Sequence, residues 1–127
     1  MVTYLSDEWL ERAGDALSTS AELAERTKDL DLAISYVVAG APGGKVSYTL
    51  TFDHGTAGVS AGAGAPVSFE LDYATAASIA QGELSAQAAF MQGKLKLVGD
   101  VNVLIRDGAV LDGVSDALGA LRADTEF

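Results

Sequence analysis

The sequence predicts an α+β fold in which five strands are covered on one face by helices. Two observations carry this. Two-residue hydrophobic alternation appears in three successive segments after residue 31, once near residue 67 and once near residue 95, and each segment has one strongly apolar side. Capped stretches with helical spacing occupy both ends of the chain and the gap before the last strand. At 127 residues, 49% of them hydrophobic, the chain can bury about two-thirds of its unfolded surface, so residues 1–127 are expected to form one domain.

Ser6 precedes Asp7-Glu8-Trp9-Leu10, an N-cap followed by acids in the first turn, and Trp9, Leu10, Ala13 and Leu17 then recur at helical spacing to about Ser18. Ser18-Thr19-Ser20 is a second cap cluster, with a short helix to about Lys28. From Asp31 the period becomes two: Leu32, Ile34, Tyr36 and Val38 share a face. Ala41-Pro42-Gly43-Gly44 is a turn, after which Val46, Tyr48, Leu50 and Phe52 alternate with Ser47, Thr49 and Thr51, whose polar face should meet water. Asp53-His54-Gly55-Thr56 turns into a shorter strand with Ala57, Val59 and Ala61 on one side, completing a three-strand meander. The small-residue stretch 55–66 is expected to be a mobile edge, followed by a strand carrying Val67, Phe69 and Leu71. Asp72 can cap a helix to Gln81, and Ser85 a second to Gln92, with Gly82 and Gly93 as stops. Leu95 and Leu97, alternating with Lys94 and Lys96, mark the fifth strand. Gly99-Asp100 opens a final helical stretch with the apolar stripe Val101, Leu104, Leu111, Val114, Leu118 and Leu121. Asp107-Gly108 and Asp112-Gly113 should weaken that stretch as a continuous helix, and a mobile lid is expected there.

Eight basic against 18 acidic residues give a net charge of −10 and a pI near 4.2, so no nucleic-acid partner and no stable membrane association are expected. The absence of Cys removes disulfides, thiolate metal sites and cysteine nucleophiles. No basic, apolar leader opens the chain and no long apolar run interrupts it, which together predict a cytoplasmic location. A positive mean hydropathy of +0.23 in so acidic a chain requires apolar surface hidden in a core, an interface or around a ligand.

Catalysis finds little support. His54 is the only histidine, and its Asp-His-Gly context is that of a solvated turn. Asp29 and Asp31 lack the ligand series of a calcium loop, and no metal or cofactor is expected. Gly40-Ala41-Pro42-Gly43-Gly44-Lys45 joins two strands, lacks a hydroxyl after the lysine and opens no helix, so it is a turn and not a phosphate loop. The pair Lys94 and Lys96 fits a solvated strand face.

The segment from Gly82 to Asp100, GELSAQAAFMQGKLKLVGD, resembles the signature region of the sterol carrier protein 2 (SCP2) domain family. Its physical logic is legible: glycines stop each short helix, Phe90 and Met91 end the second on an apolar face, Leu95 and Leu97 re-enter the sheet, and Gly99 turns the chain. The order of helix with Trp9, meander, strand and short helices resembles the stand-alone bacterial members over nearly the whole chain. The C-terminal Asp124-Thr125-Glu126-Phe127 departs from the peroxisomal address of eukaryotic members.

The resemblance implies a five-stranded mixed sheet with helices on one face and an apolar tunnel between them that accepts sterols, fatty acyl chains or other lipids. Tyr36, Tyr48, Leu50, Phe52 and Phe69 on inward strand positions, and Phe90, Met91, Val101, Leu104 and Ile105 on covering segments, are the candidate lipid-binding residues. The function expected is non-catalytic binding or carriage of a hydrophobic small molecule. The competing reading is a homodimerisation or enzyme-docking module that uses the 111–121 stripe and leaves the cavity vestigial. An accessory enzyme using His54 or a tyrosine ranks below both.

Overall fold

A computed structural model describes residues 2–41 and 44–127, with every side chain among them except that of Leu104. Side-chain caps start the helices where the sequence places them. Ser6 Oγ accepts from Trp9 N (3.2 Å) at the head of α1 (Asp7–Ser18), and Ser20 Oγ from Leu23 N (3.2 Å) at α2 (Ala21–Thr27). Asp72 Oδ1 accepts from Thr75 N (2.7 Å) at α3 (Tyr73–Ala80), and Ser85 Oγ from Ala88 N (3.0 Å) at α4 (Ala86–Met91). A short strand that the sequence did not suggest, β1 (Val2–Thr3), pairs in parallel with β7 (Thr125–Glu126). Pro42 and Gly43, the centre of the turn expected at 41–44, lie outside the described residues.

Alternation sets the register of the main sheet. Its strands are β2 (Asp31–Ala41), β3 (Gly44–Asp53), β4 (Thr56–Ala61), β5 (Val67–Asp72) and β6 (Leu95–Val98), in the order β4-β3-β2-β5-β6. β2, β3 and β4 form the expected antiparallel meander, β5 returns parallel to β2, and β6 runs antiparallel to β5, so the sheet is mixed. Tyr48 sits opposite Tyr36, which sits opposite Phe69, which sits opposite Leu97. Rows of this kind give the sheet one continuous apolar face. α1, α3 and the C-terminal helices cover that face, and Trp9, Ala13 and Leu17, four residues apart on α1, are buried against it.

The opposite face is not left wholly to water. Ser35 is completely buried: its Oγ bonds Thr49 Oγ1 (2.9 Å) and accepts from the Gly64 (3.1 Å) and Ala65 (3.0 Å) amides, while Thr49 Oγ1 donates to Gly62 O (2.7 Å). The 62–66 link, read from its small residues as a mobile edge, is therefore strapped across the back of the sheet. Further along, Gly99 (φ +113°) turns β6 toward the C-terminal helices so tightly that a Cβ there would lie 2.6 Å from Pro66 O. Only glycine fits.

The final helical stretch is broken into α5 (Asn102–Arg106), α6 (Gly108–Ala117) and α7 (Gly119–Ala123). The first interruption falls at Asp107 and the second at Leu118, whereas Asp112-Gly113 stays inside α6. Gly113 is accommodated because α6 lies close on α2: a Cβ would approach Leu23 Cδ1 to 3.2 Å.

Candidate functional site

Between the apolar sheet face and its helical cover is a cavity of about 280 Å³, just below the ~300–1,000 Å³ common for small-molecule pockets. Tyr36, Tyr48, Leu50, Val59 and Leu71 form its floor. Trp9, Ala13 and Leu17 of α1 and Ala76, Ile79 and Ala80 of α3 form two sides, and Leu111, Val114 and Leu118 close the third. Small residues on α1 and α3 matter here: an alanine where the facing sheet carries tyrosine or leucine leaves space that a larger side chain would fill.

Two tyrosines on the floor are held neutral. Burial pushes the Tyr36 phenol well above its usual range, and burial, followed by the neighbouring Tyr4 and Tyr36, does the same at Tyr48. Tyr4, also on the wall, is raised by burial and donates its hydroxyl to Ala76 O (3.2 Å). Among the described residues, Arg122 supplies the one cation of the lining. Its Nε donates to Ala80 O (2.6 Å) and its Nη2 to Ser115 O (2.9 Å) and Ser115 Oγ (3.1 Å), which ties the end of α3 to α6 and α7. Asp112, exposed on α6, is the one carboxylate of the same lining.

The residues named from sequence divide into three groups. Tyr36, Tyr48 and Leu50 are on the cavity floor. Phe52 and Phe69 are fully buried in the core beside it, outside its lining, with Phe69 edge-on to Tyr36 at 5.2 Å. Phe90, Met91, Val101 and Ile105 come together elsewhere, in an outer apolar groove of about 310 Å³ between α4 and α5. Met91 and Ile105 are 84% and 81% exposed there. Leu104 belongs to α5, and its side chain lies outside the described residues. Gln87 lines both spaces. Arg122 and Tyr4 escaped sequence reasoning, although Ser115, Leu118 and Arg122 recur at helical spacing and could have signalled a shared face. The 111–121 stripe is apparent from spacing alone, but Leu111, Val114 and Leu121 are buried within the chain itself, not presented as an interface.

His54 is remote from both spaces. It occupies the β3–β4 turn with φ +47°, its amide donating to Leu30 O, its ring exposed and 2.7 Å from Asp53 Oδ1, a contact that raises its pKa. Among the described residues no three His, Asp or Glu side chains converge as metal ligands. No helix among them is long and apolar enough to cross a membrane.

The description "SCP-2 sterol transfer family" matches residues 10–112, more than four-fifths of the chain. The chain belongs to this family. Within the SCP-2 fold, similar solved structures include a conserved hypothetical protein of Thermus thermophilus, 21% identical over 89% of this chain and 85% of that one, TM-score 0.76. A crystal structure of sterol carrier protein 2 is 20% identical over 90% and 95% of the two chains, TM-score 0.74. The apo form of sterol carrier protein 2 from Yarrowia lipolytica is 23% identical over 84% and 89%, TM-score 0.65. At these identities the likeness is one of fold. No curated protein sequence matches. The SCP-2 assignment accounts for the mixed sheet with one covered face, and the cavity described above lies between those two layers.

Proposed function

We propose that this SCP-2 chain binds and carries, without chemical change, one hydrophobic small molecule of lipid type in the cavity between sheet and helices. The observation that carries this reading is the cavity itself: an apolar floor of Tyr36, Tyr48 and Leu50 faced by alanines on α1 and α3. A close-packed core would fill such a space, since voids larger than water forfeit contacts on every side. At about 25 cal/mol per Å² of apolar surface removed from water, an alkyl chain gains useful affinity there without a reactive group.

In this reading the outer groove of Phe90, Met91, Val101 and Ile105 receives the distal end of a long ligand, which passes Gln87 on its way out. Native mass spectrometry of the freshly purified protein, followed by organic extraction, should find a lipid at one copy per chain. Delipidated protein that binds no alkyl chain and no sterol analogue would refute carriage.

A further inference from the structure

Resting on that cavity reading, we infer that Arg122 is a specificity-determining residue of the cavity, favouring an acyl ligand with an anionic head over its uncharged counterpart. The chain has four arginines and 18 acids. Arg12, Arg26 and Arg106 each have a carboxylate within 4.0 Å, to Asp124, Glu22 and Asp107 respectively. Arg122 has no ion pair among the described residues, although acids outnumber bases more than twofold. Neutral acceptors hold it instead, Ala80 O, Ser115 O and Ser115 Oγ, and these engage only Nε and Nη2. Nη1 has no hydrogen-bond partner among the described residues. Gly82 lies beside the guanidinium, a Cβ there standing 3.7 Å from Cζ, and as glycine adds no side chain on that side.

A fixed guanidinium with unused donors, set into a mostly apolar wall, is matched by a carboxylate, sulfate or phosphate head group. An uncharged lipid hydroxyl gains only the weaker hydrogen bond of a neutral acceptor from it, and Tyr36, whose own hydroxyl is unpartnered among the described residues, offers such a head an alternative partner. The geometry also orients the ligand. Ser115 lies seven residues beyond Gly108 on α6, about 10 Å along the helix at 1.5 Å per residue. Gln87 Nε2 lies beside Gly108, 2.9 Å from where a Cβ would stand. A head at Arg122 therefore directs its chain toward Gln87 and the outer groove. Both Asp112 and the net charge of −10 oppose an anion, so a preference for one would run against the charge of the protein and must come from Arg122.

The test is calorimetric titration of delipidated protein with dodecanoate, 1-dodecanol and dodecyltrimethylammonium, which share a tail and differ in head charge. Dodecanoate should bind roughly tenfold or more tightly than the alcohol, and the cation most weakly. Arg122→Gln should remove most of the dodecanoate advantage and leave the alcohol within about twofold, while Arg122→Lys keeps part of it. Equal weakening of acid and alcohol in Arg122→Gln would make the residue a clamp between helices and overturn the inference. If that variant does not fold, the wild-type ratio decides alone: equal affinities, or preference for the cation, overturn it. Binding of all three alike would leave the cavity reading standing, whereas binding of none would remove both.

Discussion

Tyr36 and Tyr48 stack face to face on the cavity floor, their ring centroids 5.0 Å apart and their planes 2° from parallel. They are direct cross-strand partners, and the stack continues edge-on to Phe69 (5.2 Å) on one side and to Trp9 (6.1 Å) on the other. Tyr4 then meets Trp9 edge-on at 4.9 Å. Such pairs contribute about 0.5–1.5 kcal/mol each beyond area burial. A ligand above them would therefore meet a wall already fixed by its own packing.

That cluster makes the fold sensitive to alkali. Burial raises the phenols of Tyr4, Tyr36 and Tyr48 above the unfolded value of about 10. Because the neutral form is the one favoured in the folded chain, the stabilisation is complete below that value and declines as pH rises beyond it. Tyrosinate absorbance from these residues should then appear together with loss of helical circular dichroism. Ionisation of all three near pH ~10 with the fold intact would contradict the burial argument.

Ser35 predicts a stability effect on the other side of the sheet. Replacing it with alanine deletes the acceptor for the Gly64 and Ala65 amides and the partner of Thr49. Ser35→Ala should cost about 1–3 kcal/mol in urea unfolding, with faster amide exchange at Gly64 and Ala65. A change below about 0.5 kcal/mol would mean that the strap does not depend on this hydroxyl.

Ser35 also shows where sequence reasoning reached its limit. Alternation located the five strands, and serine and aspartate located all four side-chain caps, because those signals are local and a one-residue slip would expose the whole apolar face. Nothing local says that a serine on the polar face is covered, since the covering link is about 30 residues away. The cavity was legible in part for the same reason. Tyr36, Tyr48 and Leu50 follow from strand parity, but parity cannot separate them from Phe52 and Phe69, which share their face and fill the core. Phe90 and Met91 close an apolar helix end whose partner is decided by the placement of α5. Arg122 depends on three neutral acceptors drawn from two other segments, a tertiary arrangement that no spacing encodes.

Filling the cavity should separate binding from folding. Ala80 is half-buried on α3 and lines the space opposite the sheet. Ala80→Phe should lower dodecanoate affinity by at least about tenfold, a loss readable as displacement of a fluorescent fatty-acid probe. Because the ring enters existing space, the melting temperature should hold or rise, where overpacking a filled core would cost about 1–3 kcal/mol. Undiminished affinity in a stably folded variant would place the ligand elsewhere.

Chain length tests the outer groove. Met91 and Ile105 are so exposed that serine at both positions should change unfolding free energy by no more than about 0.5 kcal/mol each. An octanoate chain held at Arg122 is shorter than the ~10 Å to Gln87, so its affinity should be unaffected by Met91→Ser and Ile105→Ser. An octadecanoate tail reaching past Gln87 would lie against both side chains, and its affinity should fall roughly three- to tenfold as buried apolar area is lost. Titration of both acids against wild type and the double variant gives the answer as a ratio, independent of small differences in delipidation. Equal losses for the two chains would indicate a general disturbance of α4 and α5. No loss for either would confine the ligand to the inner cavity and leave Phe90, Met91, Val101 and Ile105 without a role in binding it.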